Sequence, residues 1–335
     1  MKQKLSILSL ILLFTWIPMT FAGVIIKSTM GQVVFQKAGT QKWEKARINT
    51  ILNKGDLLLT KAKSSAVIIF LDNTGMVSLS ENSKLLISEN EKKTDKTPSF
   101  LLFLGNIKGK ITKKQDTPID FATPTAVVGV RGTEFVIAVA EEGTARVGVE
   151  EGVVAVAGLS SEVTLNAGEA STVPLAGEPE DKVAYSSKED FASWLNSTKQ
   201  SVKGKEREVL ERVEKALEYN YSQIDLLQEQ SEANIKRVEA LKAERADLLA
   251  KGDPAGAENK GNEALSLIGE RTRIILQSHN IDFKNQAIME IGTRIAKTTK
   301  KNKEIQTKYS TIKKRFDLYH SKFILTKQKK GCLSL

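Results

Sequence analysis

The residues of this chain that could carry acid–base, metal or nucleophilic chemistry are few and badly spaced for it. Histidine occurs only at His279 and His320, and the single cysteine is Cys332. No Cys or His precedes position 279, so a Cys/His zinc site and a His-dependent nucleophile are excluded from most of the chain. Both histidines read as solvated positions on a helical stretch. Asp56, Asp72, Asp120, Glu134, Glu150 and Glu151 could supply the two carboxyl groups of a glycosidase, which must face each other across a cleft. Their spacing sets no two of them opposite, and turn or hairpin roles suit them better. Gly129 and Gly132 do not make a phosphate loop, because no Lys-Ser/Thr follows and no helix opens there. No catalytic residue, metal ligand or cofactor is expected.

The other chemical signal is charge. The formal net charge is +10, and it is unevenly spread: Glu206 to Glu232 holds eight acidic and three basic residues, Arg294 to Lys330 thirteen basic and two acidic. Two such stretches attract each other if the chain folds back on itself, about a pivot near Ala257 that brings Glu214 to Lys300 and Glu211 to Lys303. Each exposed pair is worth only about 0.2–1 kcal/mol, but the pattern selects orientation. The basic surplus, Lys297, Lys300, Lys301, Lys303, Lys313, Lys314 and Arg315, is a candidate contact for an anionic polymer. Nucleic acid is not expected, since the nearby aromatic residues Tyr309, Phe316, Tyr319 and Phe323 fall on an apolar seam rather than on an open stacking surface.

The elements that must position these residues change character along the chain. Residues 1–22 have a basic start, an apolar stretch from Leu5 to Met19 and a small-x-small site at Thr20-Phe21-Ala22, which reads as a cleaved export signal. The apolar stretch falls short of the ~20 residues a helical span needs, so no stable membrane span is expected after cleavage. Residues 23–173 show short β-branched and apolar runs, at Gly31–Phe35, Ser65–Leu71, Met76–Leu79, Lys84–Ile87, Phe100–Leu104, Glu134–Ala140 and Ala145–Val149. In Glu134–Ala140 both alternating faces are apolar, which predicts a strand covered on both sides. Ser88–Pro98 reads as a surface loop. Residues 174–186, rich in Pro, Gly and charge, read as a linker, and Ser186 to Glu189 as a capping box.

From 187 to 330 the hydrophobic period becomes helical. Leu210, Val213, Leu217, Ile224, Leu227, Val238, Leu241 and Leu248 share one heptad frame, interrupted by Asn220, Ser231, Asn234 and Arg245. Ile281, Ile288, Ile291, Ile295, Ile305, Tyr309, Ile312, Phe316, Tyr319 and Phe323 share another. A turn near 252–262 joins two arms of about 65 residues into an antiparallel coiled-coil hairpin, followed by a tail at 331–335. Self-association through this seam or through Cys332 stays open.

One stretch stands apart, TPTAVVGVRGTEF from Thr123 to Phe135. Thr123-Pro124 removes a backbone donor and forces a turn, and Gly129 and Gly132, with Arg131 between them, suggest a bulge or close backbone approach. Glu134 is near enough to Arg131 to pair with it. The stretch resembles the signature of the FecR domain family, through Thr123, Pro124, Gly129, Arg131, Gly132, Thr133, Glu134 and Phe135. Upstream, Lys54-Gly55-Asp56 through Thr60 and the following strand resemble the family's GD-x-x-x-T, and downstream Val147 to Val156 is similar to its V-x-V-x-x-G-x-V-x-V hairpin. The likeness runs from about Leu52 to Val173; Asp72-Asn73-Thr74-Gly75 departs from the family's tighter Asp-Gly turn. The short strands at this spacing and the heptad frames together predict a multidomain β plus α chain, with a short-stranded β-sandwich or β-helix-like FecR-type domain ahead of the hairpin. The resemblance implies a non-enzymatic envelope role in signalling or scaffolding, in the periplasm of a bacterium, with an envelope protein or polymer as partner. Regulation through a sigma factor does not carry over if the leader is cleaved; an uncleaved leader would make the chain a membrane-anchored regulator.

Overall fold

A computed structural model describes residues 23–90, 97–112, 118–186 and 191–329. The export signal, the capping-box residues 187–189, the tail with Cys332 and the side chains of His279 and Phe323 lie outside the described residues. Turn-forming residues cut the first part of the chain into short strands. In order these are β1 (Val24–Met30), β2 (Val33–Gln36), β3 (Trp43–Lys45), β4 (Ile51–Leu52), β5 (Leu57–Thr60), β6 (Ser65–Phe70), β7 (Gly75–Leu79) and β8 (Lys84–Asn90). They continue as β9 (Thr97–Ile111), β10 (Ile119–Ala122), β11 (Val127–Val130), β12 (Glu134–Val139), β13 (Ala145–Glu151), β14 (Val153–Ala157), β15 (Glu162–Asn166), β16 (Glu169–Val173) and β17 (Val183–Ala184).

They pair into two sheets. The first runs β4-β1-β6-β7-β9-β12-β13-β16-β17, the second β3-β2-β5-β8-β9-β10-β11-β14-β15. The long strand β9 belongs to both. Its first half pairs with β8 and, in parallel, with β10; its second half, from Gly105, pairs with β7 and β12. Gly105 has φ +97°, and a Cβ there would lie 2.5 Å from the Ser83 Cα, so the crossing from sheet to sheet depends on glycine.

The sandwich core follows from alternation. Phe135, Ile137 and Val139 of β12 point between the sheets, and a chain of rings runs Phe70, Phe100, Phe121, Phe135 with centroids 5.4, 4.8 and 5.0 Å apart. Val136 and Ala138, on the other face of β12, are covered by Tyr185 and Phe191. The two-sided strand thus has the two-sided cover its sequence requires. Segment 174–186, expected as a linker, is instead packed on the domain. Leu175 is buried against the helices, the Glu178 carboxylate accepts from Ser160 and Ser161, and β17 extends the first sheet. The Ser88–Pro98 loop is also shorter than expected, since Ser88–Asn90 and Thr97–Ser99 continue the β8–β9 ladder.

Among the described residues four helices follow: α1 (Phe191–Ser201), α2 (Glu206–Ala250), α3 (Pro254–Thr298) and α4 (Lys303–Lys329). α2 and α3 form the antiparallel hairpin, each about 68 Å long at ~1.5 Å per residue. The connection is only Lys251–Asp253, because the Asp253 carboxylate accepts from the Gly256 N–H at 2.9 Å and Pro254 opens α3 at once. In the middle of the seam the buried Asn220 amide donates to the Asn285 amide oxygen at 2.8 Å. The second arm does not continue to residue 330. It breaks at Thr299–Asn302, and α4 turns back to run beside both α2 and α3. The break corrects the expected pairs: Glu214 binds Lys308 and Arg315, and Glu211 binds Arg207 on its own helix. From Ala296 to Glu304 no large apolar residue is present, so nothing holds that stretch on the seam.

Candidate functional site

Between the outer face of the second sheet and the hairpin lies a cleft of about 340 Å³. Its floor is built from outward-facing residues of β8 to β11, among them Leu86, Leu101, Asp120, Ala122 and Val127. Gln223 and Leu227 of α2 and Arg273 to Lys284 of α3 make the opposite wall. At one end the cleft is closed where Phe283 and Ala287 pack on Leu101 and Phe103, with Lys84 paired to Glu290 and its ammonium 4.6 Å from the centre of the Phe103 ring. Burial lowers Lys284 to about 8, partly countered by the nearby Asp120 carboxylate.

The basic residues singled out from the sequence divide in two. Lys313 is paired with Asp317, and Arg315 with Glu214 and Glu218, so these hold α4 to itself and to α2. Lys297, Lys300, Lys301, Lys303 and Lys314 are exposed and make no ion pair among the described residues. The break at Thr299–Asn302 brings the first four of these to one end of the bundle. The α1–α2 connection reaches the same end, since Arg207 pairs with Glu304, which adds exposed Lys203 and Lys205. Tyr309, Phe316 and Tyr319 face the bundle, as the seam required; Tyr319 stacks on Tyr221 at 4.0 Å. His320 is not simply solvated: its Nδ1 lies 2.9 Å from the Asp282 carboxylate and its ring stacks on Phe316.

The stretch Thr123–Phe135 is a corner. The Thr123 hydroxyl accepts from the Ala126 N–H at 2.8 Å and the Thr123 N–H donates to the Ala126 carbonyl at 2.8 Å, with Pro124 buried in the turn between β10 and β11. Gly129 lies in β11, opposite Asp120, and Gly132 has φ +60° in the turn that leads to β12. Thr133 is buried and Arg131 exposed. Glu134 pairs with Lys108 and Lys110 at 3.1 and 2.8 Å, not with Arg131, because β9 and not the turn lies beside it. Upstream, the buried Asp56 carboxylate accepts from the Ala38 and Asn53 N–H groups, both at 2.9 Å. Thr60 caps Ser80 and Ser83 from the next turn. The family described as FecR protein matches this region. Residues 56–155 form a FecR domain.

Two crystal structures of a candidate anti-sigma factor from Parabacteroides distasonis are similar to 42% of the chain at 18% identity, with TM-scores of 0.34 and 0.35. The match spans 64% and 63% of those chains. No curated protein matches the chain.

The signature residues of the FecR domain are thus absorbed by turns and core. Of the six carboxylates considered for acid–base work, Asp56 and Asp72 staple turns, and Glu134 and Glu150 share Lys108 on the outer face of the first sheet. Asp120 alone lines the cleft. The β12–β13 turn of the FecR domain is docked on the helices. Lys199 of α1 pairs with Glu141 at 2.9 Å, Arg294 of α3 donates to the Glu141 carbonyl at 3.0 Å, and Ile291 packs where a Cβ on Gly143 would stand. Burial pulls the Arg294 guanidinium below its usual range, against Glu290, Glu141 and Glu142. Glu142 is 6% exposed, and burial raises its carboxyl above the ordinary value. Lys284, Glu142 and Tyr185 were not singled out by sequence reasoning. The available signal was the apolar outward residues Leu86, Leu101, Ala122 and Val127, which demand a cover without naming it.

Proposed function

We propose that this chain is a non-enzymatic sensing or interaction module of the bacterial envelope, in which a FecR domain orients a helical arm toward a protein partner. The observation that supports this is the docking. Strand turns of the domain grip α1, α2 and α3 at several separate points, including the Tyr219 hydroxyl donating to the Leu159 carbonyl at 2.6 Å. Beyond Leu227 and Arg273 the two helices hold each other through Val238, Leu241, Ala264 and the Arg237–Glu263 pair. That portion reaches about 35 Å at ~1.5 Å per residue and carries exposed Leu249 and Leu265, with exposed Leu226 at its base. Photo-crosslinkers at these three leucines, compared with Met76 and Val153 on the β domain, test the reading in envelope extract. Capture of one partner from the arm positions supports it; capture from neither set, or from the β positions only, refutes it. Mass spectrometry of the native N-terminus tests export separately: a chain beginning at Gly23 is expected, and one retaining Met1 makes it a membrane-anchored regulator.

A second reading rests on the convergence of Lys203, Lys205, Lys297, Lys300, Lys301 and Lys303 at one end of the bundle. This end would hold an anionic envelope polymer. Co-sedimentation with purified cell wall or lipopolysaccharide should fall with added salt and with Lys300→Glu/Lys301→Glu/Lys303→Glu; salt-insensitive binding, or none, removes this reading.

A further inference from the structure

We propose that the cleft between the second sheet and the hairpin is a binding site for a small apolar carboxylate, with Lys284 receiving the acid group. The inference stands apart from the partner-arm reading, since a chain that contacts no partner would still carry this cleft. At about 340 Å³ the space equals roughly eleven waters at about 30 Å³ each, and it falls at the lower end of the range of about 300–1,000 Å³ typical of ligand pockets. A ligand of about a dozen non-hydrogen atoms fits.

The lining sets the chemistry. Leu86, Leu101, Val127, Leu227 and Ile281 present aliphatic surface from both the sheet and the helices, which favours an apolar body over water. Lys284 is set into this surface and has no hydrogen bond or ion pair of its own among the described residues. Asp120 acts on it only as a nearby charge and has an interaction of its own. A half-buried ammonium with unused donors, set among aliphatic side chains, favours an anion that brings its own apolar cover, because the pair would form where water is scarce. Arg273, at the mouth on α3, adds a second positive charge, and Asp120 from β10 is the opposing negative one. An amine ligand is disfavoured by that balance. Since burial already draws the Lys284 proton off near pH 8, carboxylate binding should weaken as pH rises beyond that value.

The test uses the full chain and two probes of equal length, decanoate and decan-1-ol, by titration calorimetry at pH 7. Decanoate is expected to bind with one-to-one stoichiometry at least tenfold tighter than the alcohol, and to lose this advantage at pH 10. Lys284→Met, which keeps the apolar stem, should erase the preference while leaving alcohol binding within threefold. Val127→Trp from the floor, or Leu227→Trp from the wall if the first does not fold, should remove both. No decanoate binding, equal affinity for the two probes, an unchanged preference in Lys284→Met, or undiminished binding in the tryptophan variant would each overturn the assignment.

Discussion

Glu142 gives the sharpest physical test of how the β domain holds its helices. The residue sits in the β12–β13 turn, 6% exposed, and its Oε2 has no hydrogen-bond partner. Desolvation is the largest influence on its carboxyl and raises the pKa; the Thr144 hydroxyl and the residue's own N–H act against it, as does Arg212 of α2, while Glu141 adds to the rise. The folded value therefore lies above the unfolded reference of 4.5. Between the two, the folded chain binds more protons than the unfolded one, so stability falls as pH rises through that window, and the full penalty is present above the folded pKa. Glu142→Gln removes the charge and keeps the shape. An unsatisfied buried polar group costs about 1–3 kcal/mol, more when charged. With one oxygen already bonded, the substitution should stabilise by about 1–2 kcal/mol at pH 7.5, or about 2–8 °C in midpoint for a domain of 150–250 residues. The gain should shrink toward zero at about pH 3, below the unfolded reference, where both states carry the neutral acid. Thermal and urea unfolding at the two pH values measure it. Destabilisation of 1 kcal/mol or more at pH 7.5, or an equal gain at both pH values, would show that attraction to Arg212 outweighs desolvation and that the docking argument has the wrong sign.

Further expectations concern separate parts of the molecule. Phe135→Ala empties the end of the ring chain and should cost about 3–5 kcal/mol, read by chemical unfolding; Arg131→Ala, at an exposed position, should cost far less. Glu134, lowered by Lys110 and Lys108, contributes stability above pH 4.5 that is lost as pH falls through its depressed pKa. Since both lysines are about half exposed, Glu134→Gln should cost no more than about 1 kcal/mol at pH 7, and less as the pH falls below 4.5 toward the depressed pKa. Asn285→Leu strands the Asn220 amide and should cost about 1–3 kcal/mol, whereas the double change Asn220→Leu/Asn285→Leu should recover most of it; a double-mutant cycle without coupling refutes the pair. Lys284→Met removes a half-buried amine from the cleft and should stabilise the fold, by no more than about 3 kcal/mol for a shift from 10.5 to about 8; a loss of stability would make Lys284 a structural residue.

Much of this fold was legible because alternation and heptads leave marks that burial must obey. The faces of β12 could be assigned residue by residue, and most of the α2 frame is buried, Asn220 included where an apolar residue would normally stand, while Leu227 and Leu248 are half-buried and Arg245 is exposed. The break at Thr299–Asn302 was hidden by the same regularity. Ile295 and Ile305 are ten residues apart and keep one heptad frame, so the frame continues on paper where the helix does not; the absence of large apolar residues between them was the stronger signal. Composition misled at 174–186, where Pro, Gly and charge conceal a two-residue strand and a tyrosine whose ring lies on Gly148. The cleft could not be read at all. Its walls come from β8–β11 and from α3 more than a hundred residues later, and no local pattern couples Val127 to Lys284.

The continuity of α3 bears on what the hairpin can do. One unbroken helix carries Ala264 in the projecting arm, Lys284 in the cleft, Ile291 against Gly143 and Arg294 on the Glu141 carbonyl. A flexible spacer would join its domain through a solvated, mobile stretch, whereas here the junction 174–186 is packed on the sandwich and α3 is gripped between Arg273 and Arg294. To swing the arm, the chain would have to uncover Phe283 and Ala287 from the second sheet and break the Lys84–Glu290 pair together. The sequence reading allowed spacer or assembly arm; the packing favours an arm fixed in direction. It also places the cleft at the joint, where an occupant acting on Lys284 bears on the same helix that a partner at Leu265 would hold, so any coupling between the two runs through a single rigid element and requires that the occupant prefer one of its positions.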